Sequence, residues 1–188
     1  MVNWVSNWLN KNSTGWIALS ALIVFLLFSA LVLPNQAATS EAETGDAGSP
    51  DTSLFYSPND LYRWAEEYGP AGRAAYIRAR FTFDVIWPLV YTVFLVTAIS
   101  WVYSKAFRAG SRWQRLNLAP ILAAAFDLLE NTSTSIVMGR YPDQTPVIDT
   151  MAPVFTLLKW VLIGASFVSL VVGGGVGLWR WVKKGNQE

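Results

Sequence analysis

Four long apolar stretches limit the fold more than any other feature of this sequence. A helix needs about 20 apolar residues to cross the hydrocarbon core of a bilayer, and each stretch is near or above that length. The stretches run over 16–33, 81–104, 118–138 and 153–182. Of the 188 residues, 53% are apolar and 14% are charged, whereas a soluble domain carries about a quarter charged residues. We therefore expect an all-α integral membrane protein whose four transmembrane helices form a bundle of antiparallel neighbours.

The charges in the loops predict the orientation, because Lys and Arg are enriched in short cytoplasmic loops. The loop 105–117 and the tail 183–188 carry basic residues, namely Lys105, Arg108, Arg112, Arg115, Lys183 and Lys184. The segment after the first stretch instead carries Glu41, Glu43, Asp46 and Asp51. We therefore expect cytoplasmic N- and C-termini, with 34–80 and 139–152 on the outer side. The alternative for 16–33 is a cleaved signal peptide, with Lys11 before the apolar run and Ala37 and Ala38 after it.

The polar segments have their own patterns. In 1–15, Trp4, Val5, Trp8 and Leu9 recur at helical spacing, which predicts a short helix in the cytoplasmic membrane interface. Pro34 and Asn35 are expected to end the first transmembrane helix, and 35–52 is expected to be a flexible linker.

An amphipathic helical segment is predicted to follow that linker on the outer side. Ser57 and Pro58 signal a helix start. The apolar face that follows consists of Leu61, Trp64, Ala65 and Tyr68. A second helix is expected to begin near Ala71 and to continue without interruption into the second transmembrane helix.

The third apolar stretch contains a polar stripe. Asp127, Glu130, Asn131 and Thr134 are spaced i, i+3, i+4 and i+7, which puts them on one helix face. A charge at the centre of a bilayer costs about 2.5–3.5 kcal/mol on insertion scales, so these acids should face the protein interior. Counting residues along the antiparallel helices puts Asp84 and Lys159 in the same outer half of the bundle.

These residues define a predicted ligand-binding site. It comprises Asp84, Asp127, Glu130, Asn131 and Lys159, with Trp87, Tyr91 and Trp160 as aromatic walls. The alternative is purely structural pairing, of Lys159 with Asp127 or Glu130 and of Asp84 with Arg80 at i, i+4. The three aromatic side chains would then be ordinary packing residues.

The composition excludes several kinds of chemistry. The chain has no Cys and no His, which excludes disulfides, Cys/His zinc sites, iron–sulfur clusters and His- or Cys-based nucleophiles. We expect no metal and no cofactor. The formal net charge of +1 also gives no reason to expect a nucleic-acid partner.

Three segments of the sequence are distinctive as a set. They are Tyr68-Gly69-Pro70-Ala71-Gly72-Arg73, then Asp84 followed by Trp87-Pro88, then Asp127-Leu128-Leu129-Glu130-Asn131. The set resembles a family of uncharacterised four-span membrane proteins of bacteria. The resemblance implies that the chain is a protein of the bacterial inner membrane, and it implies no activity. A looser, fold-level analogy is to the sterol-isomerase and sigma-2 receptor group, in which a membrane helix bundle also surrounds acidic and aromatic residues.

Several functions are compatible with this pattern. We favour a protein that binds a small amphipathic or cationic ligand, or a lipid, in the outer half of the bundle. The alternatives are an enzyme acting on a lipid-like substrate with Glu130 or Asp127 as general acid or base, a proton- or cation-coupled transporter, and an accessory subunit of a membrane complex. Membrane lipid is an expected partner. Gly173 and Gly177, a small-xxx-small pair, indicate close packing of the fourth helix, within the chain or in a homo-oligomer.

Overall fold

A computed structural model describes residues 2–185 as helices joined by short turns, without a β-strand in that range. The predicted all-α class is therefore confirmed. The α-helices are α1 Val2–Asn12, α2 Gly15–Leu27, α3 Leu33–Thr44, α4 Pro58–Glu67, α5 Gly69–Arg80, α6 Phe83–Ala106, α7 Ala119–Arg140 and α8 Ile148–Gly185. Residue 1 of the predicted segment 1–15 and residues 186–188 of the predicted tail 183–188 lie outside the described residues.

Three helical stretches among the described residues are long and apolar enough to cross a membrane. They are Gly15–Ala47, Gly69–Ala106 and Ile148–Arg180, with mean hydropathies of 2.7, 2.0 and 2.1. They contain the stretches 16–33, 81–104 and most of 153–182, which makes the chain consistent with a membrane protein. The predicted third transmembrane stretch, 118–138, does form helix α7. It is not among the three because its polar stripe lowers its hydropathy.

The first long helix does not end at Pro34. A π-helical turn, Phe28–Val32, precedes the proline, and the N–H of Leu33 donates to the carbonyl of Phe28. Because proline lacks an N–H, a widened turn just before it lets the helix continue. The chain then stays helical to Thr44, so the predicted flexible linker 35–52 is wrong over most of its length. The rest of that segment contains two 3₁₀ turns, Gly45–Ala47 and Pro50–Thr52.

The chain divides into two compact units. Unit 1 comprises Met1–Leu26, Val90–Leu122 and Leu162–Glu188, and unit 2 comprises Leu27–Leu89 and Ala123–Val161.

The core of unit 2 is built on the predicted apolar face of α4. Its buried residues are Leu61, Trp64, Ala65, Tyr68, Tyr76, Val137, Met138 and Ala152. Ser57 caps α4 in a capping box with Asp60, as the Ser-Pro signal predicts. The indole N–H of Trp64 donates to the carbonyl of Ala47 at 2.7 Å, and the Tyr68 hydroxyl donates to the carbonyl of Gly48 at 2.5 Å. These bonds hold the segment 45–52, hereafter the strap, against α4.

Helices α4, α5 and α6 are separated by two tight junctions. Gly69 has a φ of +62°, a left-handed conformation that glycine adopts without strain, and α5 begins there instead of near Ala71. Phe81 and Thr82 form a turn between α5 and α6, so the predicted uninterrupted helix is wrong at this point. The hydroxyl of Thr82 donates to the carbonyl of Arg78 at 2.8 Å, which satisfies one acceptor at the end of α5.

The helices of unit 1 pack through small and aromatic residues. Gly173 of α8 lies directly against the ring of Tyr103, where a Cβ atom would overlap that ring. The Tyr103 hydroxyl donates to the carbonyl of Ser169 at 2.9 Å. The glycine predicted to allow close helix approach therefore does so within the chain.

Candidate functional site

The polar stripe of α7 lies buried, as its spacing predicts. Asp127, Glu130, Asn131 and Thr134 expose 6%, 0%, 2% and 0% of their surfaces. A buried charge needs a partner of opposite sign, because the interior does not solvate it. In unit 2 the positively charged partners are Lys159 and Arg80.

The first cation is Lys159 of α8. Its Nζ lies 2.5 Å from Oε2 of Glu130, 3.4 Å from Oδ1 of Asp127 and 3.8 Å from Oδ1 of Asp51. Lys159 is itself buried, with 4% of its surface exposed. The amide nitrogen of Asn131 donates to the backbone carbonyl of Asp84 at 3.3 Å, which ties α7 to the start of α6.

The second cation is Arg80 at the end of α5. Its Nη2 lies 2.7 Å from Oδ2 of Asp84, the i, i+4 pair that the sequence analysis named as the structural alternative. Its Nη1 donates to the carboxylate of Asp51. The guanidinium also lies over the ring of Tyr76, 4.4 Å from the ring centroid. Arg80 therefore joins the strap, α5 and α6.

Asp51 is the site residue that the sequence analysis missed, because it was assigned to a flexible linker. It lies in the 3₁₀ turn of the strap, where the Ser49 side chain accepts a hydrogen bond from its backbone N–H. Burial opposes ionisation of Asp51, but the charges of Arg80 and Lys159 outweigh that effect and lower its pKa. Ser49-Pro50-Asp51 repeats the Ser-Pro start of α4, and this signal could have identified an ordered turn.

The cluster holds more negative than positive groups. Its four carboxyl groups are those of Asp51, Asp84, Asp127 and Glu130, while Arg80 and Lys159 are its two cations. Leaving excess charge buried without compensation is costly. With all six groups ionised, the cluster carries a formal charge of −2, which favours a further positive charge beside it.

A groove of about 590 Å³ opens beside this cluster. The charged residues of its lining are Glu41, Asp46, Asp51, Asp84 and Asp127, against Arg80 and Lys159. Its aromatic walls are Phe83, Trp87 and Trp160. The ring of Trp87 stacks on Phe28 with centroids 5.6 Å apart, and Lys159 Nζ lies 5.4 Å from the Trp160 ring centroid. The groove thus combines an excess of acids with flat apolar surfaces.

Family models, curated proteins and solved structures give no match to this chain.

The resemblance to four-span bacterial proteins therefore stays a prediction. Of the predicted site residues, Asp84, Asp127, Lys159, Trp87 and Trp160 line the groove.

Three predicted site residues do not line the groove. Glu130 is fully buried and pairs with Lys159, and its Oε1 has no hydrogen-bond partner. Asn131 is buried against α6, and Tyr91 is buried but belongs to unit 1. Within residues 2–185, no group of three or more acidic side chains is arranged to hold a metal ion.

Proposed function

We propose that this chain is a four-span protein of the bacterial inner membrane, with cytoplasmic termini, whose groove in unit 2 binds a small amphipathic cation. Helix α7 is the fourth spanning helix in this proposal. Its polar stripe is buried, while Leu122, Leu128 and Leu129 expose 53%, 47% and 46% of their surfaces. A helix with an apolar outer face and a buried polar face fits a membrane bundle.

The observation that carries the binding proposal is the pairing of surplus carboxylates with aromatic walls in one groove. The carboxylates of Asp84 and Asp127 attract a cationic head group, and the faces of Trp87 and Trp160 add cation–π attraction. Leu33, Ala37 and Phe83 offer apolar surface for a short hydrocarbon tail. An anionic ligand would instead meet an excess of like charge.

Binding is favoured over catalysis by the position of Glu130. A general acid or base must come within about 3 Å of the proton that it transfers. Glu130 does not line the groove. The ammonium group of Lys159 contacts both Asp127 and Glu130, the two carboxyl groups that would have to act together as acid and base. Asp127 does line the groove, but it is held in an ion pair that a ligand cation would share.

The experiment compares three amphiphiles of equal chain length: decyltrimethylammonium, decanol and decanoate. Each is titrated into the purified full-length chain in a neutral detergent, and the midpoint of thermal unfolding is followed. The proposal predicts stabilisation by the ammonium compound alone. Asp127→Asn should weaken that binding at least about tenfold, because it removes one partner of a desolvated charge contact.

Asp143→Asn is the matched control, since Asp143 is exposed and does not line the groove. Trp160→Leu tests the aromatic wall without changing a charge, and it should weaken binding even if Asp127→Asn proves hard to fold. Equal affinity of folded Asp127→Asn and Asp143→Asn for decyltrimethylammonium would contradict the proposal, as would stronger binding of decanoate.

A further inference from the structure

The charges of the chain are divided sharply between the two units. Unit 1 contains eight Lys and Arg residues and one acidic residue, Glu188, which lies outside the described residues. Unit 2 contains the other six basic residues and twelve acidic residues. The formal net charge of +1 for the whole chain hides this division. The described part of unit 1 contains no carboxylate side chain, so no ion pair forms within that part of the unit.

Buried hydrogen bonds among Ser6, Ser100, Gln114 and Asn117, which we call the hub, join two segments of unit 1. The amide nitrogen of Asn117 donates to the carbonyl of Ser6 at 3.2 Å and to the hydroxyl of Ser100 at 2.9 Å. The Ser6 hydroxyl donates to the carbonyl of Gln114 at 3.2 Å. These bonds join α1 to the 3₁₀ segment Arg112–Leu118 and to α6. We name α1 together with residues 105–118 the basic platform.

The platform presents aromatic and basic side chains to its surroundings. Trp4, Trp8 and Trp113 expose 70%, 54% and 49% of their surfaces. The guanidinium of Arg112 lies 5.3 Å from the centroid of the Trp113 ring. Lys11, Lys105, Arg108, Arg112 and Arg115 are all exposed. Exposed tryptophans beside basic residues are typical of the bilayer interface, where the ring sits at head-group depth.

We propose that the basic platform binds the head groups of anionic phospholipids. Their phosphates would supply the negative charge that the described part of unit 1 lacks, and the tryptophans would enter the interface beside them. Because α1 is held to the 3₁₀ segment through Asn117, the basic groups of the two segments are presented together and need no ordering on binding. A purely topological role requires basic residues but neither the hub nor the exposed tryptophans.

The test measures lipid preference in phosphatidylcholine vesicles that contain the full chain. Spin-labelled phosphatidylglycerol and spin-labelled phosphatidylcholine are compared by their relative association with the protein. The platform variant combines Lys11→Gln, Arg112→Gln and Arg115→Gln. The control variant combines Arg63→Gln, Arg78→Gln and Arg140→Gln, three exposed basic residues of unit 2, and makes the same change in net charge.

The wild type and the control variant should prefer phosphatidylglycerol, and the platform variant should lose most of that preference. A basic side chain near an anionic surface contributes up to about fivefold in affinity. High salt should suppress the preference of the wild type, a readout that needs no variant. Equal preference in the platform and control variants would overturn the proposal, and would leave an acidic partner protein as the ligand of the platform. A wild type without preference would overturn it as well.

Discussion

Lys159 lies within 4 Å of three carboxylates, those of Asp51, Asp127 and Glu130. The variant Lys159→Met tests how much these contacts stabilise the fold. The substitution keeps an unbranched side chain, one atom shorter, but removes the cation that lies 2.5 Å from Glu130 and 3.4 Å from Asp127. Removing one partner of a buried ion pair costs about 3–5 kcal/mol, because the other charge stays buried without compensation. No discount for solvent screening applies, since Lys159 exposes 4% of its surface and Glu130 exposes none. For a chain of this size, the loss corresponds to a fall of about 6–20 °C in the midpoint of thermal unfolding.

The assay is thermal unfolding of the purified chain, followed by circular dichroism in one detergent for all variants. Lys105→Met is the control, since Lys105 is exposed and should tolerate the change. The double variant Lys159→Met with Glu130→Gln removes both charges of the closest pair. It should recover at least ~1 kcal/mol relative to the sum of the single effects. The reasoning is refuted if Lys159→Met unfolds within 1–2 °C of Lys105→Met, about half a kcal/mol, or if the double variant recovers nothing.

Two further predictions concern packing and capping. Gly173→Ala should destabilise unit 1 by about 1–3 kcal/mol because its methyl group would overlap the ring of Tyr103, whereas Gly174→Ala, with open space around it, should be neutral or slightly stabilising in the same unfolding assay. Ser57→Ala should cost about 1 kcal/mol by removing the cap of α4. Hydrogen bonds from the backbone and side chain of Ser57 lower the pKa of Asp60 to about 2. The cap therefore stabilises the fold fully at pH values above the ordinary pKa of a carboxyl group, and this stabilisation is lost as the pH falls toward 2. An acid titration of unfolding in which wild type and Ser57→Ala diverge at low pH instead of converging would contradict that assignment.

The parts of the site that sequence predicted are those set by helix periodicity. Asp127, Glu130 and Asn131 share one face because their spacing on a helix allows nothing else, and the energetic cost of exposing acids to lipid predicts that this face is buried. The predicted pair of Arg80 and Asp84 also forms, although the turn at Phe81 and Thr82 interrupts the helix between them. The match of Lys159 with α7 follows from counting depth along antiparallel helices.

The parts that sequence missed depend on contacts between distant segments. Pro34 ordinarily predicts a helix end because proline has no backbone N–H. Here a π-helical turn precedes it, and the helix continues. The composition of 35–52 predicts flexibility, yet Trp64 and Tyr68 bind the carbonyls of Ala47 and Gly48 and hold the strap in place. No local pattern signals that a tryptophan about 17 residues away will fix this segment.

From the sequence alone follow the all-helical class, the polar stripe of α7 and four long apolar stretches, of which three form helices long and apolar enough to cross a membrane among the described residues. Hydrophobicity and helical spacing act along the chain, so they can be read without coordinates. Only the tertiary structure decided that Asp51 joins both Arg80 and Lys159, that Glu130 does not line the groove, and that the aromatic groove opens beside Asp127. These depend on which surfaces meet in space, and that choice is made by packing between residues far apart in the chain.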